Sequence, residues 1–208
     1  MFTGIIQNIG SVHSLDYHGA TAQLAIECDL DTSDIHSGDS IAINGTCLTL
    51  TSFIPGPPAK LVFDLGPETL EKTTLGNLRV WQNIHVEKAL RLSERIGGHL
   101  VQGHVDGIGI LQTQEHQGSA LKMRFTCSPD ILKLCIYKGS ISIDGISLTI
   151  NQIYETGFDV CLIPHTLEKT CLGTYQTGHR VNLENDLIGK YVERLLGHKK
   201  GEQIGTKH

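Results

Sequence analysis

The chain has 208 residues, 39% of them apolar, and a formal net charge of −5, enough for one large domain or two small ones with real cores. Its lysines and arginines are scattered rather than stacked, so no phosphate-binding surface is announced and nucleic acid is not an expected partner. Residues 1–10 lack the positive start and apolar run of a signal peptide, and no stretch approaches the ~18 apolar residues of a membrane span; a soluble, cytoplasmic protein is expected.

Taken in chain order, the pattern is one of short strands. Ile41/Ile43, Leu61/Phe63/Leu65, Ile84/Val86 and Ile141/Ile143 each place apolar side chains on one face of an extended chain. His18-Gly19, Asn44-Gly45, the proline-rich run 55–58 and Asp144-Gly145 punctuate them, which argues for antiparallel closure into small barrels rather than helix-linked parallel sheets. Short helical turns are expected after Pro67, at Ser128-Pro129 and after Pro164, where a fixed proline φ suits a helix start. From Asp186 onward, Leu187, Ile188, Tyr191, Val192, Leu195 and Leu196 recur at helical spacing with Gly197 as a stop, an amphipathic helix of about three turns. Its apolar stripe either folds onto its own barrel or meets copies of itself. The second is favoured, because only one repeat carries the helix and no duplicated groove awaits it.

The chain is a duplication. Glu68-Thr69-Leu70-Glu71-Lys72-Thr73-Thr74-Leu75-Gly76 returns as His165-Thr166-Leu167-Glu168-Lys169-Thr170-Cys171-Leu172-Gly173, seven of nine identical. Ser40-Ile41-Ala42-Ile43-Asn44-Gly45-Thr46-Cys47-Leu48-Thr49 returns as Ser140-Ile141-Ser142-Ile143-Asp144-Gly145-Ile146-Ser147-Leu148-Thr149. Gly4-Ile5-Ile6 and Ile9-Gly10 find Gly103-His104-Val105 and Ile108-Gly109, and three blocks in one order mean two homologous domains of about 95 residues, with a boundary near Gly97-Gly98.

Six cysteines sit singly, without a Cys-x-x-Cys pair, and the closest histidine pairs, His13/His18 and His99/His104, have spacings that suit metal ligation poorly, so no metal is expected. The duplicated polar positions have diverged: Asn44, Cys47 and Thr49 in one copy answer Asp144, Ser147 and Thr149 in the other. A shared binding surface carrying different reactive groups suits two identical ligands in unequal roles. Each group also has an ordinary reading. Asn-Gly and Asp-Gly are good turns, a small hydroxyl after a turn often only satisfies backbone groups, and a cysteine without a neighbouring histidine suits a core.

The segments Met1-Phe2-Thr3-Gly4-Ile5-Ile6, Gly97-Gly98-His99-Leu100-Val101-Gln102-Gly103-His104-Val105 and Tyr137-Lys138-Gly139 through Thr149 together resemble the riboflavin synthase family, from Met1 to about Leu196. The resemblance implies an all-β fold, two tandem six-stranded antiparallel Greek-key barrels at residues 1–98 and 99–185, then a C-terminal α-helix at 186–197 that assembles a homotrimer and a polar tail at 198–208. It implies active sites between subunits, where two molecules of 6,7-dimethyl-8-ribityllumazine exchange four carbons to give riboflavin and 5-amino-6-ribitylaminouracil. It leaves a lumazine synthase shell open as a further partner. No cofactor is expected: the substrate is electron-poor and no nucleotide-binding glycine fingerprint is present.

By matching position, the resemblance assigns catalysis to Phe2, Ser40, Cys47, His104, Lys138, Asp144, Ser147 and Asp186. Substrate binding falls to Gly4, Ile5 and Ile6, to Cys47, Leu48 and Thr49, and to Asp64, Leu65, Gly66, Pro67, Glu68 and Thr69. Gly103, His104, Val105 and Lys138 join them, with Ser147, Leu148 and Thr149 and with Cys161, Leu162, Ile163, Pro164, His165 and Thr166 from the second repeat. His165 departs from the glutamate of many relatives, which Glu68 supplies in the first repeat; a neutral imidazole accepts fewer hydroxyl hydrogen bonds, so weaker binding is expected in the second barrel.

Overall fold

The computed structural model describes residues 1–197; the polar tail expected at 198–208 lies outside the described residues. The first repeat forms β1 (Asn8–His18), β2 (Thr21–Cys28), β3 (Ser40–Ile43), β4 (Thr46–Ile54), β5 (Ala59–Leu65), α1 (Pro67–Lys72), a 3-10 turn (Thr74–Asn77) and β6 (Asn83–Lys88). The second forms β7 (Gly107–Gln117), β8 (Ala120–Thr126), α2 (Pro129–Leu132), β9 (Ser140–Ile143), β10 (Ile146–Tyr154), β11 (Gly157–Leu162), α3 (Pro164–Lys169), a 3-10 turn (Cys171–Thr174) and β12 (Arg180–Asn185), followed by α4 (Leu187–Gly197). Each set of strands closes on itself in the same circuit, β1-β2-β5-β4-β3-β6 and β7-β8-β11-β10-β9-β12, with every pair antiparallel. Closure leaves no sheet edge unpaired.

Bulges supply the bend that closure needs. They fall at matching places, between Val12 and Ser14 on β1 and between Leu111 and Thr113 on β7, and again between Leu50 and Ser52 on β4 and between Ile150 and Gln152 on β10. The alternating apolar positions point inward: Ile41, Ile43, Leu61 and Phe63 fill one barrel, and Phe125, Ile141, Ile143 and Phe158 the other, all fully buried. The helical turns start at the expected prolines, and the Ser128 hydroxyl caps α2 by accepting from the Ile131 amide. Its counterpart in the first barrel, residues 29–38, stays in turns because no proline follows a capping serine there.

Asn44-Gly45 and Asp144-Gly145 form the tight tips of the β3–β4 and β9–β10 hairpins, with all four residues at positive φ (43°, 72°, 45° and 84°). They are not free loops. The two tips meet tip to tip, so closely that a Cβ on Gly45 would stand 2.4 Å from the Gly145 amide nitrogen. The barrels therefore join about a pseudo-twofold through their hairpin tips.

Helix α4 is held to the second barrel by its polar side. Lys190 pairs with Asp106 at 2.7 Å and Glu193 with Lys133 at 2.8 Å, while the Asp186 carboxylate accepts from the Ile188 amide at 3.0 Å within the helix's own first turn. The apolar stripe does not fold back onto its barrel: Ile188 and Leu195 are 67% and 69% exposed, and Tyr191, Val192 and Leu196 are exposed as well. Among the described residues no helix is long and apolar enough to cross a membrane.

Candidate functional site

Two straps, residues 1–6 and residues 98–105, are laid over the barrels reciprocally. Phe2 and Val101 bridge one strap to the other. Gly4, at φ 76°, offers its carbonyl to the Ser147 amide of the second barrel at 2.8 Å; Gly103, at φ 80°, offers its carbonyl to the Cys47 amide of the first, also at 2.8 Å. Glycine is required at both points, because an added Cβ would come within 2.6 Å of the Ser147 and Cys47 Cβ atoms respectively.

Each strap is tethered by a buried carboxylate at the end of its own barrel's last strand. Glu87 on β6 accepts from the Thr3 amide and hydroxyl at 2.7 and 2.8 Å and from the Gly4 amide at 3.2 Å. Glu184 on β12 accepts from the Gln102 and Gly103 amides at 2.7 and 2.9 Å. Burial raises the pKa of both, Glu184 to about 7, against the pull of the amides that each accepts. Neither glutamate was singled out from sequence. The signal was present, since the two stand at the same offset as the duplicated Leu-Glu-Lys block, but a glutamate near a strand end reads as a surface charge.

The strap, β4 and α1 enclose a cleft of about 300 Å³ in the first barrel. Cys47 and Thr46 form one wall, Glu68, Thr69 and Lys72 of α1 a second, and Gly103, His104 and Val105 the third. Nine residues from three distant stretches thus converge, six of them among the expected site residues. Lys72, Thr46 and Thr73 were not among them, although Lys72 and Thr73 belong to the duplicated block. The equivalent frame in the second barrel is Ser147 on β10, the Gly4-Ile5-Ile6 strap, and His165 and Thr166 at the start of α3.

Ser147 carries an extra partner. Its hydroxyl lies 2.7 Å from His99 Nδ1, and His99 is itself buried, with no hydrogen-bond partner for Nε2 among the described residues. Burial lowers the His99 pKa, and the charge of Asp186 opposes that shift. A neutral imidazole next to a hydroxyl can hold or pass a proton. His99 stood inside the central motif but received no role from sequence; its contact with a residue 48 positions away is a product of the strap's path.

The remaining expected residues are spread over both barrels. Thr49 and Thr149 point outward on β4 and β10, while Leu48 and Leu148 point into the cores; Ser40 is half-buried opposite Thr49. Asp64 is exposed and accepts from Gln23 at 3.1 Å, Leu65 and Leu162 are core residues, and Gly66, Pro67, Ile163 and Pro164 open the two cleft helices, beside half-buried Cys161. Exposed Lys138, at φ 63°, donates to Asn151 at 3.1 Å. Phe2 is fully buried, packed with Ala42, Val101 and Cys47 under the cleft wall.

Asp144 lies apart from these. Only 1% exposed, it accepts from the Asn182 amide at 2.7 Å and meets the Tyr175 hydroxyl at 2.9 Å, in the joint between the barrels. Burial raises its pKa to about 7, opposed by those two hydrogen bonds.

The lumazine binding domain family matches residues 3–89 and 102–186, one match per barrel. The riboflavin synthase of Actinobacillus pleuropneumoniae is 40% identical over 203 residues, covering 98% of this chain and 93% of that one. The riboflavin synthase of Bacillus subtilis (strain 168) is 40% identical over 202 residues, covering 97% and 92%. In three dimensions the chain is similar to LumP in its crystal structure with 6,7-dimethyl-8-(1'-D-ribityl) lumazine, with a TM-score of 0.79 at 23% identity over 89% of this chain and 99% of that one, a likeness of fold.

Proposed function

The chain belongs to the riboflavin synthase family, and on that premise we propose that each barrel holds one 6,7-dimethyl-8-ribityllumazine and that the pair exchange a four-carbon unit. One molecule leaves as 5-amino-6-ribitylaminouracil and the other as riboflavin. Atoms balance between two substrates and two products, so the exchange needs no external oxidant or reductant. The protein's work is to hold two heterocycles in register and to move protons, starting from the acidic 7-methyl group of the molecule that receives the four carbons.

The observation that carries this reading is the diverged pair at equivalent points of two like strap-and-hairpin frames. Cys47 faces the first cleft under the Gly103 strap, while Ser147 sits under the Gly4 strap with His99 on its hydroxyl. Two like frames suit two copies of one ligand, and unlike groups suit a donor and an acceptor. In this reading the strap residues beyond the glutamate tethers, Ile6, His104 and Val105, meet the pyrimidinedione edge, and the α1 and α3 termini meet ribityl hydroxyls. Ser147, His99 and Lys138 are assigned to proton handling and Cys47 to the first cleft's polar wall. The outward apolar stripe of α4 supports a homotrimer in which clefts of different subunits meet, and a cytoplasmic enzyme fits its substrate.

The test is direct. Purified protein incubated with the ribityllumazine should lose lumazine absorbance as riboflavin absorbance rises, one riboflavin for every two lumazines consumed. Binding of lumazine without turnover over hours would overturn the proposal.

A further inference from the structure

The joint between the barrels reaches the clefts. His85 on β6 and Asn182 on β12 stand at equivalent positions. The His85 amide donates to the Asn44 side-chain oxygen at 2.8 Å, and the Asn182 amide to the Asp144 carboxylate at 2.7 Å. Each side chain then crosses to the other barrel's hairpin tip: His85 Nδ1 lies 3.0 Å from the Asp144 carbonyl, and the Asn182 amide group donates to the Asn44 carbonyl at 2.8 Å.

Each side chain has a second end, and both ends are used. His85 Nε2 accepts from the Cys171 amide at 2.8 Å, and the Asn182 side-chain oxygen accepts from the Thr74 amide at 2.7 Å. A carbonyl only accepts and a backbone amide only donates, so the His85 ring is the neutral tautomer with its hydrogen on Nδ1. Burial lowers its pKa to about 4, which agrees with that form.

Thr74 and Cys171 begin the 3-10 turns that follow α1 and α3. Glu68, Thr69 and Lys72 of α1, with Thr73 directly before Thr74, form a wall of the first cleft, and α3 holds the matching place in the second barrel. The last strand of each barrel thus reaches across the joint and pins the far end of its partner barrel's cleft helix.

We infer that His85 is a positioning residue for the second barrel's cleft, and Asn182 for the first, each fixing the opposite barrel's cleft helix through one backbone amide. The strap tethers run in the same sense: Glu87, two residues along β6, holds the strap that seats on Ser147, and Glu184 the strap that seats on Cys47. A purely structural reading, two buried polar side chains satisfying each other's neighbours, predicts loss of stability shared by both barrels. A positioning role predicts loss confined to one. Only the kinetic part of the test rests on the proposed function; the exchange part reads position without it.

In hydrogen-exchange mass spectrometry of the full chain, His85→Ala should speed exchange by about tenfold in peptides covering 164–174 and leave those covering 67–77 unchanged, with Asn182→Ala giving the reverse. In steady-state assays His85→Ala should lower kcat/KM by about tenfold, mainly through KM, because a displaced cleft helix weakens binding before it touches chemistry. His85→Asn presents one donor and one acceptor as Asn182 does, and should recover most of the loss in both measurements. If His85→Ala does not fold, His85→Met takes its place. Equal acceleration in both barrels, no recovery in His85→Asn, or failure of both apolar variants to fold while His85→Asn folds would each overturn the inference, since His85 would then hold the chain together rather than one cleft.

Discussion

The two barrels share a strand circuit, bulges at matching positions and hairpin tips of one geometry, yet they differ at positions beside the straps, at the surface and in the joint between them. Cys47 answers Ser147, Glu68 answers His165, Asn44 answers Asp144, His85 answers Asn182, and Trp81 answers Gly178. The shared skeleton consists of positions where geometry leaves no latitude: glycines at positive φ in close contact, tethering glutamates, and inward apolar residues. The divergent positions are those where one chemical group can replace another within an unchanged backbone. Duplication of the skeleton with divergence of the groups is how one chain can build two alike frames that carry unlike groups.

The sharpest way to break the likeness is at the joint. Gly45→Ala would place a Cβ 2.4 Å from the Gly145 amide nitrogen, on a residue at φ 72°, where only backbone separation relieves the clash. Left-handed strain and overpacking together should cost about 3–5 kcal/mol, read as a lower urea midpoint. Gly19→Ala is the control: φ is 66° but no atom lies within 4 Å, so it should lose only ~1 kcal/mol from strain. Equal losses for the two would remove the clash from the explanation.

The joint also carries the clearest pH dependence. With its pKa raised to about 7, against ~3.9 unfolded, folded Asp144 binds more protons than the unfolded chain across that window. Its contribution is fully present below the unfolded value and is lost as pH rises through about 7. His85 has the opposite sign: at about 4 folded, against ~6.5 unfolded, it destabilises as pH falls through that window. Asp144→Asn would give the second tip the side chain of the first. It should raise stability at pH 8 by up to ~4 kcal/mol and leave it little changed at pH 4, measured by urea unfolding at both. A gain of the same size at both pH values would assign the effect to packing instead.

A third comparison concerns chemistry. Ser147→Ala removes the partner of His99 and should lower kcat by about 10–100-fold with folding intact. Cys47→Ser, which keeps a polar group under the Gly103 strap, should lose less than Cys47→Ala. Equal rates for the two Cys47 variants would remove the polar role from that position.

Much of this was legible in the sequence. The repeated blocks announced two domains, alternation and turns announced closed antiparallel sheets, and the prolines marked the helix starts. Cys47, Glu68, Thr69, Gly103, His104 and Val105 do converge on one cleft. The joint was not legible. Asn44-Gly45 and Asp144-Gly145 read as good turns, and nothing local says that two tips will meet and bury each other's polar groups. For the same reason nothing in the sequence placed Asp144 in the joint. The bonds of His85 and Asn182 span between 38 and 138 residues, and a histidine inside an alternating strand pattern carries no sign of its partners.

The smallest effect tests whether a divergent position is free or committed. In the loop before β12, Gly178 adopts φ 91°; in the matching loop before β6, Trp81 adopts φ 69° with its side chain 72% exposed. A tryptophan in the left-handed region carries about 1–2 kcal/mol of strain that glycine lacks, while glycine raises the entropy lost on folding by about 0.5–1 kcal/mol. The Trp81 amide donates to the Val12 carbonyl at 2.8 Å, a bond glycine keeps. Trp81→Gly should therefore stabilise by about 0.5 kcal/mol, a rise in Tm of about 1–2 °C at this chain length, measured by calorimetry. A fall in Tm instead would mean that the indole is buried in the assembled protein and that the strain is kept for the contact it makes there.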